Sequence, residues 1–262
     1  MGMLSSIISF ALCAIVYVRM LKREVPEPMS KKQAWVPVAV GVIGPIISTL
    51  VAVGLGMLIF KLRGGELTQA GISAQPTQPE DMNLVAASLL RAFRNAGFTE
   101  ELVKLLLALL MVKIFKPKNV YEYALAFIGI GFGFTALEEI LYGGGVRSLI
   151  RLPGFAMHMV FGIIMGVNLG LARYEKQQGG SPGKYILCGL LVPVLWHTLY
   201  DAGTAFNAGL DAADENAQSA GLIIGVLSII VSTVLEFVLL IKFKKKAVTY
   251  SEMELQQQFR TT

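Results

Sequence analysis

The sequence predicts an all-α polytopic membrane protein, a single transmembrane domain over residues 1–262 built as a bundle of about seven helices. Three observations lead there. Hydrophobic residues make up 54% of the chain and charged residues only 16%, where a soluble domain carries about 25% charged. Mean hydropathy is +0.61. Apolar runs recur at lengths near the roughly 20 residues that a helix needs to cross the hydrocarbon core. The 27 glycines and 10 prolines are scattered without period, which excludes a collagen-like or low-complexity chain.

The expected spans are residues 3–18, 34–60, 97–115, 121–142, 153–171, 185–206 and 221–241. The first lacks a small-residue cleavage pattern and is followed by Arg19, Lys22 and Arg23, so it reads as an uncleaved signal anchor. The second contains Pro37 and Pro45 and should kink. Sixteen basic residues follow spans one, three, five and seven, against six after the even-numbered spans. That bias puts the N-terminus outside and the C-terminus in the cytoplasm, and it accounts for the net charge of +5 without nucleic acid. Residues 61–96 then form an extracytoplasmic loop. From Asp81 it is expected to hold an amphipathic helix, with Val85, Leu89, Ala92 and Phe93 on one face and Arg91 and Arg94 off it. Residues 207–220 read as an acidic exposed loop, and the tail from Lys242 as a basic anchor with a short polar helix. Cys13 and Cys188 both lie in apolar runs without metal-type spacing and read as inert thiols.

Ionisable residues inside spans cost about 2.5–3.5 kcal/mol each on insertion scales, so they are functional candidates. Span three opens with Glu100 and Glu101 followed by Lys104, and span four ends with Phe134, Glu138 and Glu139. Span five contains His158, span six His197 and Asp201, and the chain has no other histidine. Counted at 1.5 Å per residue from one side, Glu100 and Glu101 lie roughly 5 Å in, Glu138 about 6 Å, His158 and Asp201 about 8 Å, and His197 about 14 Å. Four antiparallel helices thus offer carboxylates and imidazoles in one slab of the outer half. Glu100 and Lys104, like His197 and Asp201, stand at i and i+4 and can share a face. The expectation is that Glu100 pairs with Lys104 and leaves Glu101 as the freer base. Histidines and glutamates that hold and deprotonate a water are what peptide hydrolysis needs.

Other charges have plainer readings. Glu139 lies off the face of Glu138, Glu122 sits near a span end, and Glu236, expected near the inner end of span seven, reads as a structural or Lys-paired carboxylate. Gly162, Gly166 and Gly170 at four-residue spacing read as a packing seam.

The motif order Glu-Glu-x-x-Lys (residues 100–104), Phe-x-x-x-Glu (Phe134 to Glu138), an intramembrane histidine (Arg151 to His158) and His-x-x-x-Asp (197–201) resembles the PrsW-type intramembrane proteases. These stand within the wider superfamily of CAAX-prenyl endopeptidases and bacteriocin-processing membrane proteins. The resemblance covers residues 97–206, which it marks as a catalytic four-helix core. It implies an endopeptidase that cuts a single-span membrane protein, anti-sigma-factor-like, near its extracytoplasmic side in the cell membrane. Its site residues would be Glu100, Glu101, Glu138, His158, His197 and Asp201. One of the paired glutamates would activate water with help from His158, and His197 would stabilise the oxyanion.

Two departures stand out. Glu138-Glu139 replaces a Glu-Asn often found in the family, and Asp201 replaces the asparagine usual in the superfamily. An ionised aspartate cannot donate to an oxyanion, so Asp201 is protonated, orients His197 or binds a metal. The CAAX-type Glu-Glu-x-x-x-Arg is absent, which argues against prenyl-protein processing. The residues favour a metal-independent, glutamate-activated water. Zn2+ is the open alternative, and its ligands would be His158, His197, Glu101 and Asp201. A proton- or cation-coupled transporter and a non-enzymatic immunity or scaffold protein are the rivals. The first is disfavoured because no internal repeat is present and the polar groups lie off the midplane. The second predicts that the polar residues can be replaced without loss.

Overall fold

A computed structural model describes residues 2–22, 29–62, 84–142, 152–205 and 215–261, and all elements among them are helical. In chain order they are α1 (Gly2–Leu21), α2 (Lys31–Val42), α3 (Gly44–Leu62), α4 (Leu84–Ala92), α5 (Thr99–Phe115), α6 (Val120–Tyr142), α7 (Met157–Gln177), α8 (Gly183–Ala205) and α9 (Glu215–Thr261). Six helical stretches among the described residues are long and apolar enough to cross a membrane, with α2 and α3 counted as one. The third expected span is α5, whose 17 residues carry Glu100, Glu101, Lys104 and Lys113.

The expected kink is a break at Ile43. Pro45 has no N–H to continue the ladder, and α3 restarts after a turn in which the Ile43 amide reaches back only to Val40 at 3.3 Å. α2 starts on a capping box, Ser30 and Gln33 bonding each other's backbone at 3.2 and 3.0 Å. α6 and α7 form the buried centre, packed by α1 and α9 around Tyr17, Phe132, Met159, Val160 and Ile164. The glycine seam lies between them. An added Cβ on Gly162 or Gly166 would fall 2.5 or 2.7 Å from the carbonyl oxygens of Phe127 and Tyr123. Outward, Leu50, Leu187, Leu227 and Ile241 are exposed, as suits side chains that meet lipid rather than water.

Three expectations change. α9 is one helix of 47 residues, about 70 Å long, so residues 215–220 are its first turns and the tail beyond Lys242 continues it rather than forming a separate helix. Its end docks on the start of α6, where Glu254 accepts from the Val120 amide at 2.9 Å and Ser251 from the Tyr121 amide at 2.8 Å. The amphipathic helix is α4, but it runs into a π-helical turn, Phe93–Gly97. The wider turn shifts the register beyond Ala92, so Ala96 is buried while Phe93 is exposed; Val85, at the start of α4, is exposed as well. Asp81 and most of the loop before α4 lie outside the described residues, as does Arg151. Glu122 caps its own helix, accepting from the Lys118 amide at 2.7 Å, which is the plain structural reading.

Candidate active site

α5, α6, α7 and α8 each contribute near one end of the bundle. Close backbone approach makes this possible at two glycines. A Cβ on Gly131 of α6 would lie 2.2 Å from the His158 carbonyl oxygen, and one on Gly97, just before α5, 2.0 Å from Thr198 Oγ1 beside His197. Only a residue without a side chain lets α7 settle against α6, and α8 against α5, at that range.

The side chains meet as a continuous network. Lys104 donates to Glu101 Oε1 at 2.5 Å and to His158 Nδ1 at 2.7 Å. With Nδ1 accepting, the ring proton of His158 sits on Nε2 and is donated to Glu138 Oε2 at 2.7 Å. His197 donates from Nδ1 to Glu101 Oε1, also at 2.7 Å. The two imidazole centroids are 5.3 Å apart. Phe134 and Phe161 wall the network, with the Lys104 ammonium 4.5 and 5.6 Å from their centroids, which places the cation over two π-faces. Glu101, Lys104, Glu138, His158 and His197 are all buried.

The pairing within α5 differs from the expected one. Lys104 lies 2.5 Å from Glu101 and 3.9 Å from Glu100, because i,i+3 neighbours on a helix meet as readily as i,i+4 neighbours. Glu101 is thereby held by an ammonium and an imidazole. Glu100 keeps spare capacity: its Oε2 is buried without a hydrogen-bond partner, 3.8 Å from His197 Nε2. Asp201 Oδ1 is 3.9 Å from the same nitrogen, at the rim, with 37% of its side chain exposed against 14% for Glu100. The open side of the site is therefore the side of Asp201.

Sequence offered Lys104 only as a partner of Glu100 and Phe134 only as a motif residue, and it offered no role for Phe161. The spacing of Lys104 three residues after Glu101, and of Phe134 four before Glu138, was the available signal. Glu236 is also placed differently from expectation. It lies beside the turn that precedes α7, with no lysine bonded to it among the described residues and both carboxylate oxygens unpartnered.

One ammonium faces three carboxylates and two imidazoles here, a donor set with a surplus of negative charge. Glu100, His158 and His197 each offer one ligand atom within 4.8 Å of the others. Two nitrogens and a carboxylate oxygen are a set that zinc takes. His197 is already in the orientation a metal ligand adopts, one nitrogen fixed by a carboxylate and the other facing the cavity. Glu101 has its Oε1 occupied twice and its Oε2 without a partner.

Comparison with known proteins decides the family. A sequence model described as PrsW family intramembrane metalloprotease matches residues 32–236. The chain belongs to this family. It is 33% identical over 126 residues to protease PrsW of Halalkalibacterium halodurans, an alignment covering 45% of this chain and 55% of that one. It is 32% identical over 129 residues to protease PrsW of Bacillus subtilis, covering 47% and 57%. The chain thus spans little more than half the length of the curated relatives it matches. No solved structure matches. Family and apolar helices together make this PrsW-family chain a multi-pass membrane protein.

Proposed function

We propose that this chain is an intramembrane endopeptidase that hydrolyses a peptide bond of a single-span membrane protein, anti-sigma-factor-like, near its extracytoplasmic end. The observation that carries the reading is the unpartnered Glu100 Oε2, buried and facing His197 Nε2 at 3.8 Å beside the open rim. A water touching both atoms gives its proton to Glu100, and the resulting hydroxide attacks the scissile carbonyl carbon. His197, held at Nδ1 by Glu101 and carrying a proton on each ring nitrogen, donates from Nε2 to the oxyanion. Glu100 then hands the proton to the leaving amine. Lys104 and Glu138 fix the His158 ring from both sides. A zinc ion, held by Glu100, His158 and His197, would supply a Lewis acid and ease deprotonation of water; His158 would then have to release one of its two present bonds.

The test is cleavage of a single-span peptide by the purified full-length chain in detergent, with and without chelator, alongside metal analysis. Glu100→Gln keeps shape but cannot accept the proton, so cleavage should fall at least about 10²-fold. Normal cleavage by both Glu100→Gln and Glu101→Gln proteins, shown to be folded, would end the protease reading. The orientation we propose, N-terminus outside and C-terminus in the cytoplasm of the cell membrane, rests on the basic-residue bias. In a Cys188→Ser background, thiol labelling of intact cells should modify Gln75→Cys and spare Gln256→Cys; the reverse pattern would invert the topology.

A further inference from the structure

One carboxylate outside the network stands close to it. Glu236 of α9 is 1% exposed, and neither oxygen has a hydrogen-bond partner. It lies against the turn Leu152–Gly154 and the two residues that follow. A Cβ on Gly154 would be 3.9 Å from its Oε2, and the carboxylate is directed at the Ala156 backbone amide without closing a bond of standard geometry. Ala156 is the N-cap of α7 and has no side-chain cap bond. The first amides of a helix have no acceptor within it and carry partial positive charge, which an anion stabilises. α7 has no acid in its own first turn; α9 supplies one from outside. The same turn is gripped by α1, whose Cys13 Sγ donates to the Phe155 carbonyl at 3.1 Å, and by Phe237, whose ring meets Phe155 edge-on at 6.1 Å. His158 is the second residue of α7, so whatever seats this turn sets where its imidazole stands between Lys104 and Glu138.

We propose that Glu236 is a positioning residue for His158: its carboxyl group serves as the cap of α7, delivered by α9, and holds the first turn of that helix in the register that brings the imidazole into the site. The group does not touch substrate. Its role rests on the proposed function only for its kinetic consequence; the structural part stands apart from it.

The chain has two histidines, so a spectrum of the ring-labelled full-length protein in detergent micelles reads both directly, assigned with a His158→Gln protein. In Glu236→Leu, the His158 ring signals should shift or split more than those of His197, while Glu236→Gln, whose amide oxygen can still accept, and Glu236→Asp should restore much of the original spectrum. Unchanged His158 signals in Glu236→Leu would overturn the proposal. So would equal displacement of both histidines, which marks a general structural role. If Glu236→Leu does not fold, Glu236→Met, which also lacks an acceptor for the amide but keeps the unbranched shape, carries the same test. With a single-span peptide as substrate, kcat should fall roughly 10–100-fold with KM little changed, and an unchanged kcat would overturn it. Should the unmodified protein cleave nothing, the protease reading fails while the spectra still decide the role of Glu236.

Discussion

The two ends of the bundle treat buried carboxylates differently. At the end away from the histidines, Glu122 accepts from the Lys118 amide at 2.7 Å, and Glu254 accepts from the Val120 amide at 2.9 Å and from Arg173. These acids close helix ends. At the other end, Glu100 and Glu101 each keep an oxygen without a partner, as Glu236 does with both. A buried polar group left unpaired costs free energy; among the described residues the unpaired carboxylate oxygens fall at this end, where Glu100 faces His197 and Glu236 faces the turn before α7. Burial and charge alone do not separate the two ends. Unpaired carboxylate oxygens among the described residues do.

Lys104→Met tests the contrast most severely. The substitution removes the one ammonium that faces Glu101 and His158 within 2.7 Å and leaves their charge and lone pair buried. Breaking a buried pair from one side costs about 3–5 kcal/mol, to be read as a large drop in unfolding temperature in detergent. Adding Glu101→Gln to the same protein should recover part of the loss, because the uncompensated carboxylate is then gone. Equal stability of Lys104→Met and the unmodified chain would mean that the network does not hold this end together.

Gly131→Ala is next in size. Its methyl group would press on the His158 carbonyl at 2.2 Å, and forcing backbone apart in a packed core costs about 1–3 kcal/mol. The displacement matters more than the cost. A shift of 1 Å can cost about 10²-fold in rate, so cleavage should collapse while the protein stays folded, and His158 should no longer reach Glu138. Retained cleavage would show that the close approach of α6 and α7 is not what seats the imidazole.

Much of this was legible in the chain. Apolar run lengths locate α1, α6 and α8 to within three residues and α7 to within six, and the depth count of charged residues brings the four helices that carry Glu100, Glu138, His158 and His197 to one end. What stayed hidden was local. Helical spacing allows Lys104 to meet either glutamate of its own helix, and only the position of His158 on a different helix draws it to Glu101. The depth count put His197 well below Glu101, yet the two touch at 2.7 Å, because it assumes that helices start at one level and ignores the reach of side chains. Glu236 was misplaced for the same reason. The segment before α7 enters the bundle and meets α9 beside a residue that counting had assigned to the far side. The continuity of α9 was obscured by the change from apolar to basic composition at Lys242, which alters the solvent around a helix without ending it.

The smallest effect comes from the end where the buried carboxylates are paired. Glu254→Ala removes the acceptor for the Val120 amide at the start of α6 and the partner of Arg173. Loss of a helix cap costs typically about 1 kcal/mol, up to about 2, and Arg173, with 23% of its side chain exposed, can turn toward solvent rather than stay buried and unpaired. Glu254→Gln should cost less still, since its amide oxygen can accept from Val120. Cleavage should stay within about twofold in both variants, because Val120 and Glu138 stand eighteen residues apart on one helix, about 27 Å, and a rigid helix transmits no change of side-chain geometry from a frayed first turn. Parallel measurement of unfolding temperature and cleavage rate decides the matter. A tenfold change in rate with little change in stability would mean that the capped end and the open end are coupled, and that the C-terminal turns of α9 act on the site as well as on the fold.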